Sequence, residues 1–350
     1  MKVWMRVAAA LLLSTAGCKN DTTTSMPPAA APPTSPATSA GAPAPSAAAA
    51  SPLCKVVGKL SSERFYLRLV ELPDGRVLFV GGALTGTAES RAEVDAYDPK
   101  TSNVTPFASL RVPRSHPGVA ALADGRVVVI GGYAGEDGSL DTIEVYEPSK
   151  KAFRVLPVRL EVPTAELFAI PMKDGRVLIG GGEASPRGNA PGKDKWPRSS
   201  FILDPTTGKL TRTGDTPWPL SDGGFYTVAE SGVITVTGEG EKDPVKGTVL
   251  RDCTTTFDPA SKTWTDTKRC TQPSDHQGRI FHTANGAASN AGFLVPFGLE
   301  LYRNGTWAEE LNPKGAASGT GVALDEGLSL DEHHVIAVDG QTYQVMRCSF

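Results

Sequence analysis

The chain is 350 residues long and carries 35 Lys and Arg against 38 Asp and Glu, a net charge of −3. This lacks the basic bias of a nucleic-acid-binding face, so no nucleic-acid partner is expected. Hydrophobic residues make up 40%, enough for a core, and 37 Gly with 28 Pro point to many short strands joined by tight turns.

The N-terminus stands apart from the rest. Lys2 and Arg6 form a short basic start, and residues 7–13 are apolar. That run is too short to span a bilayer as a helix and reads as a secretory signal covering residues 1–17. Residues 13–18, LSTAGC, put small residues before a cysteine and resemble the lipobox of bacterial lipoproteins. Thr15 departs from the pattern, since an aliphatic residue is commoner there. The resemblance implies cleavage that leaves Cys18 as a lipid-modified N-terminus; ordinary secretion with an unmodified Cys18 is the alternative. Residues 19–53 are almost entirely Ala, Pro, Ser, Thr and Gly. Such a stretch has too few large apolar groups to offset its ordering entropy, so residues 18–53 are expected to be a disordered tether.

From residue 54 the chain repeats itself. Residues 72–82 read LPDGRVLFVGG, residues 122–132 LADGRVVVIGG and residues 172–182 MKDGRVLIGGG. A fixed period of this size signals a repeat architecture. In the second copy, residues 118–123 are an apolar run and Asp124–Gly125 a tight turn, since glycine tolerates positive φ. Residues 127–130 are a fully apolar run of strand length. Residues 142–146 and 152–156 are predicted as third and fourth strands, joined by an acid–proline turn. That turn recurs as Asp98–Pro99, Glu147–Pro148, Asp204–Pro205 and Asp258–Pro259. Weaker copies end at Gly238, Gly298 and Asp339, for six anchors with Gly81, Gly131 and Gly181.

The Gly-Gly pair closing an apolar strand, the Arg-x-His at 114–116 and the Tyr-Asp-Pro at 97–99 together resemble kelch repeats, over residues 54–350. The resemblance implies an all-β fold: a six-bladed β-propeller of four-stranded antiparallel blades. The last copy runs out of chain before a fourth strand. Residues 54–60 are therefore expected to complete it, as the N-terminal strand commonly does in kelch propellers. Five cysteines then divide into one lipid site and two pairs, Cys54–Cys348 in the closing blade and Cys253–Cys270 in the fourth, which suits an oxidising compartment. Free buried thiols are the alternative.

In such blades the connections entering the first strand and leaving the second emerge on one face, around the central channel. Nine residues before the turn glycines stand Tyr66, His116, Glu166 and Gly223, with Arg64 and Arg114 two residues earlier; Arg279 and His282 occupy the fifth copy. These are the candidate ligand-binding residues, with Trp196 from the long loop at 183–197, which also carries Arg187, Lys193 and Lys195. The plainer reading is that Arg and His here belong to the repeat and hydrogen-bond between blades. The five histidines show no metal-ligand spacing. No nucleophile elbow or phosphate-binding loop is present, so no catalytic residue is assigned and no cofactor is expected. Two functions fit. One is a lipid-anchored, monomeric scaffold contacting a protein or glycan at the cell surface and touching the membrane through its lipid alone. The other is a sugar-acid mutarotase resembling the kelch-type sialic-acid epimerases, with Arg64, His116, Glu166 and Arg279 at the channel mouth.

Overall fold

The repeated Asp-Gly-Arg phrase is a hairpin turn. The Gly75 amide donates to the Leu72 carbonyl (2.9 Å) and the Leu72 amide to that of Arg76 (2.7 Å). Gly75 sits at φ 87°, and the Asp74 carboxylate accepts both the Arg76 amide (3.1 Å) and Nε (2.9 Å). The turns at Gly125 and Gly175 repeat this arrangement. Each turn joins a first strand to a fully buried second strand, such as Val77–Val80 or Val127–Ile130. An alternating pattern would leave one face wet; these four-residue runs are apolar throughout because both faces are covered by neighbouring sheets.

The computed structural model describes residues 54–84, 87, 89–185, 196–239, 252–270, 282–283, 301–303, 306–308, 324–330, 334–339 and 343–349. The expected signal, Cys18, the tether before residue 54, residues 186–195, Arg279 and the anchor Gly298 lie outside them. Blade I is Arg68–Glu71, Val77–Val80, Glu93–Asp98 and Asn103–Ser109, hydrogen-bonded in that order. Blade II is Gly118–Ala121, Val127–Ile130, Thr142–Glu147 and Ala152–Arg159. Blade III is Phe168–Pro171, Val177–Gly180, Ser199–Asp204 and Lys209–Asp215. Blade IV is Ser221–Val228, Ile234–Glu239, Asp252–Asp258 and Thr263–Cys270. All are antiparallel meanders. The first strands of consecutive blades neighbour one another, so they line the centre.

The closing blade joins the two ends of the fold. Leu324–Ser329, His334–Asp339 and Gln344–Ser349 are completed by Cys54–Lys59, which pairs antiparallel with the last strand. Its register sets Cys54 opposite Cys348, and blade IV sets Cys253 opposite Cys270. One feature departs from expectation: His282–Thr283 adds to the inner edge of the closing blade, and it does so in parallel. Nothing in the described residues explains that addition.

The core lies in the wedges between sheets. Leu78, Val80, Val127 and Val129 fill the wedge between blades I and II; Val128, Ile130, Val177 and Ile179 fill the next. Phe168, Ile170, Ile234 and Phe257 join blades III and IV, and Phe79, Tyr97, Ile336 and Val345 join blade I to the closing blade. Each outer strand also carries a register shift. The shifts fall at Val94/Asp95, Thr142/Glu144, Ser200/Phe201, Thr254/Thr255 and Val56/Gly58.

Candidate functional site at the channel mouth

The glycine pairs explain how the mouth is assembled. The second glycine of each pair donates its amide to the next blade's entry loop: Gly82 to Arg114 O (2.9 Å), Gly132 to Thr164 O (3.0 Å) and Gly182 to Leu220 O (2.5 Å). The first glycine lies under that same carbonyl. A Cβ on Gly81, Gly131 or Gly181 would collide with the carbonyl oxygen of Arg114, Thr164 or Leu220 respectively. All three sit at positive φ, so two constraints select glycine there.

The entry loops are held from inside by charge in two blades. Arg64 donates from Nε to Gly81 O (2.7 Å) and from Nη2 to Asp95 Oδ2 (2.8 Å), while Ser61 gives its amide and hydroxyl to the same carboxylate oxygen (3.0 Å each). Arg114 donates to Gly131 O (2.8 Å), Thr142 O (3.1 Å) and Glu144 Oε1 (2.6 Å). Glu144 also accepts the amides of Arg111 (2.7 Å) and Val112 (2.9 Å). Both arginines are 0% exposed. Burial pushes the Arg114 guanidinium below its ordinary range, and the Glu144 carboxylate opposes that shift. This corrects the expectation for Arg64 and Arg114. They are internal fasteners with saturated guanidinium groups and no exposed surface.

The residues two positions after Arg64, Arg114 and their counterpart Thr164 behave differently. Tyr66, His116 and Glu166 all adopt positive φ (57°, 48° and 58°), a conformation costing a non-glycine residue about 1–2 kcal/mol. Their backbones hand on from blade to blade: the His116 amide donates to Tyr66 O (2.8 Å) and the Glu166 amide to His116 O (3.0 Å). The side chains meet as well. The Tyr66 ring stacks on the imidazole with centroids 4.2 Å apart and planes at 30°. His116 Nε2 stands 3.8 Å from Glu166 Oε1, an ion pair whenever the imidazole is protonated. Side-chain exposures of 13% for His116 and 21% for Glu166 leave both within reach of solvent.

Connections leaving the second strands complete the mouth with residues the sequence reasoning missed. Tyr133 pairs with Ser115 through two backbone hydrogen bonds (2.8 and 3.0 Å) and turns its ring edge-on to His116 at 5.5 Å. Glu183 pairs likewise with Ala165 (2.8 Å both ways), and its Oε1 accepts the Ser185 hydroxyl (2.9 Å). Serines staple adjacent connections together: Ser90 Oγ donates to Tyr133 O (2.8 Å), and Ser139 Oγ accepts the Ser185 amide (2.9 Å). One signal could have found Tyr133 and Glu183, since each directly follows its Gly-Gly pair. Of the other candidates, Trp196 is 38% exposed, His282 is described only through its strand, and Arg279 lies outside the described residues. In blade IV the expected Gly223 is displaced by one position, because Leu220 takes the place of Arg114 under the Gly181–Gly182 pair. Among the described residues no group of three or more His, Cys, Asp or Glu could hold a metal.

Comparison with known proteins agrees with this architecture. A family profile described as the Kelch motif matches residues 113–157, from the entry loop of blade II into its fourth strand. A solved structure described as "Structure of YjhT" aligns with a TM-score of 0.58 at 13% identity, covering 83% of this chain and 95% of that one. No curated protein sequence matches.

Proposed function

We propose that this β-propeller, one repeat of which matches the Kelch motif, is a binding scaffold whose contact surface is the channel mouth. The observation that carries this reading is the trio Tyr66, His116 and Glu166. Three blades each keep a side chain at a backbone position that favours glycine, and bring those side chains together. Strain of this kind persists where the surroundings over-determine it, and it clusters at functional sites. Tyr66, Tyr133 and the exposed Trp196 supply the aromatic groups that dominate protein contacts, so a protein is the favoured ligand and a glycan the alternative. A sugar-acid enzyme loses one of its supports, because Arg64, which would help hold the carboxylate, is engaged inside blade I.

The proposal extends to where the protein works. A lipid on Cys18 would hold the propeller at the cell envelope, as a monomer, with the Ala- and Pro-rich segment as spacer. Cysteine pairing fits that compartment. Residues directly opposite in an antiparallel pair lie about 4.5–5.5 Å apart at Cα, inside the range a disulfide spans. Cys54–Cys348 and Cys253–Cys270 hold such positions. Peptide mapping without reductant should recover both links, and their absence would remove this support for an oxidising compartment.

The mouth is tested by a photo-crosslinking residue placed at Tyr133, with Lys150 on the opposite face as control. Scaffold function predicts a discrete envelope protein captured from Tyr133 only, and lost on Glu166→Ala. Equal capture from both faces would end the assignment of the mouth, and capture of polysaccharide alone would transfer it to a glycan.

A further inference from the structure

A groove of about 840 Å³ opens on the face opposite the mouth, in the wedge between blades I and II. Phe107, from the fourth strand of blade I, forms its floor, with its ring 4.8 Å from that of Tyr146 in blade II. Pro106 and Pro148 add apolar walls, while Asp98, Asn103 and Asp124 stand on the rim. The volume falls within the roughly 300–1,000 Å³ usual for small-molecule sites.

Neighbouring wedges are finished differently, although the same turns border them. Between blades II and III, Arg126 reaches across from its Asp-Gly-Arg turn and donates to Thr206 Oγ1 (3.0 Å). Between blades III and IV, Lys173 donates to Glu230 O (2.6 Å), and Trp264 reaches back to Ser200 Oγ (2.7 Å). Arg76 is the counterpart of Arg126. Both pair with the aspartate of their own turn, but Arg76 folds down over Phe107, 5.3 Å from the ring centroid, instead of reaching the next blade. The arginine that closes one wedge becomes part of the floor in the other.

We propose that this groove is an oligosaccharide site that takes an uncharged chain of about two or three sugar rings. Sugars present apolar C–H faces ringed by hydroxyls. The apolar surfaces of Pro106, Phe107 and Pro148 match the former, and the carboxylates and amide of Asp98, Asp124 and Asn103 match the latter. Charge argues against an acidic glycan. Of the lining charges, Asp74 already holds Arg76 and Asp124 holds Arg126, which leaves Asp98 and Lys151, and no cluster of cations to clamp an anionic chain. This inference is independent of the mouth, since the groove lies on the other face.

The test titrates the full chain with maltotriose, cellotriose and the N-acetylglucosamine trimer, followed by saturation-transfer NMR and calorimetry. At least one should bind, with affinity falling about tenfold or more in Phe107→Ala and in Asn103→Ala. Tyr133→Ala at the mouth should leave it unchanged. Asn103 is an exposed rim residue whose replacement spares the fold, so it decides the matter if Phe107→Ala unfolds. Failure of all three sugars to bind at about 10 mM overturns the proposal, as does binding that Asn103→Ala leaves intact or binding seen only with sulfated or uronic oligosaccharides.

Discussion

Blades I and II hold their entry loops with a buried arginine and a carboxylate, whereas blades III and IV reach the same backbone geometry without either. The strand registers make the comparison position by position. Arg64 and Asp95 become Arg114 and Glu144 in blade II, Thr164 and Phe201 in blade III, and Leu220 and Thr255 in blade IV. None of these four blades keeps one half of the ion pair. An unpartnered buried charge costs several kcal/mol, so the pair is retained or lost together. Where it is lost, other groups take over: Thr164 gives its hydroxyl to Val162 O (2.8 Å), and Trp264 from blade IV reaches Ser200 in blade III. The glycine pair shows the opposite behaviour through blades I to III. A fastener can be built from different chemistries, but a carbonyl lying against a Cα leaves room for hydrogen alone.

Substitutions can break this contrast, and the largest effect belongs to the glycines. Gly131→Ala should destabilise by about 4 kcal/mol or more in a urea titration, since its Cβ would meet Thr164 O and the Leu167 side chain at positive φ. Gly175→Ala, at φ 80° with open space around it, should lose only about 1 kcal/mol. Equal losses would show that conformation, and not close approach, selects glycine.

Next in size is the fastener. Arg114→Thr alone should lose about 3–5 kcal/mol by stranding Glu144, whereas adding Glu144→Phe should restore at least half, because it installs the blade III pair. A double variant no better than the single would mean that blade III depends on features beyond these two positions.

His116→Gly tests the mouth. Relief of the left-handed backbone should leave stability unchanged or raise it by about 1 kcal/mol, while capture of the ligand at the mouth falls. A large loss of stability would reclassify His116 as structural.

The smallest effect is electrostatic. The hydrogen bond from Arg176 holds the Asp174 carboxyl below its usual range. A depressed folded value means that the stabilisation is present above the unfolded pKa, near about 3.9, and is lost as pH falls through the folded one. Asp174 is 48% exposed, so screening limits the effect to roughly 0.5 kcal/mol. Asp174→Asn should flatten the acid limb of a stability profile by that amount. A larger change would mean that this turn contributes more than a hairpin reversal.

Local features of the fold were legible, and distant ones were not. The turn at 72–76, the apolar run at 77–80 and the completing strand at 54–59 are each announced by contiguous residues with one physical explanation. Arg64 and Arg114 misled because a charged side chain is read as exposed by default, and their partners stand about thirty residues downstream with no phrase linking them. The mouth was half legible. Tyr66, His116 and Glu166 align with a turn glycine, whereas Tyr133 and Glu183 lie at the start of connections whose lengths and sequences differ from copy to copy. The groove by Phe107 left no trace, because it depends on which way one arginine of a repeated turn folds.

The register shifts in the outer strands have a bearing on how such a protein survives among its own copies. A propeller presents a rim of strand edges, each with unmatched amide and carbonyl groups able to zip onto another chain. Here the shift falls beside the fastener position in blades I to IV, and the closing blade has one beside Met346, which takes the same place opposite its second strand. A bulge twists the edge and breaks its hydrogen-bonding rhythm after a few residues. The distortion that seats an internal side chain thus also blunts the perimeter, and the outer strands of the described blades offer a second copy only short, twisted edges to add to.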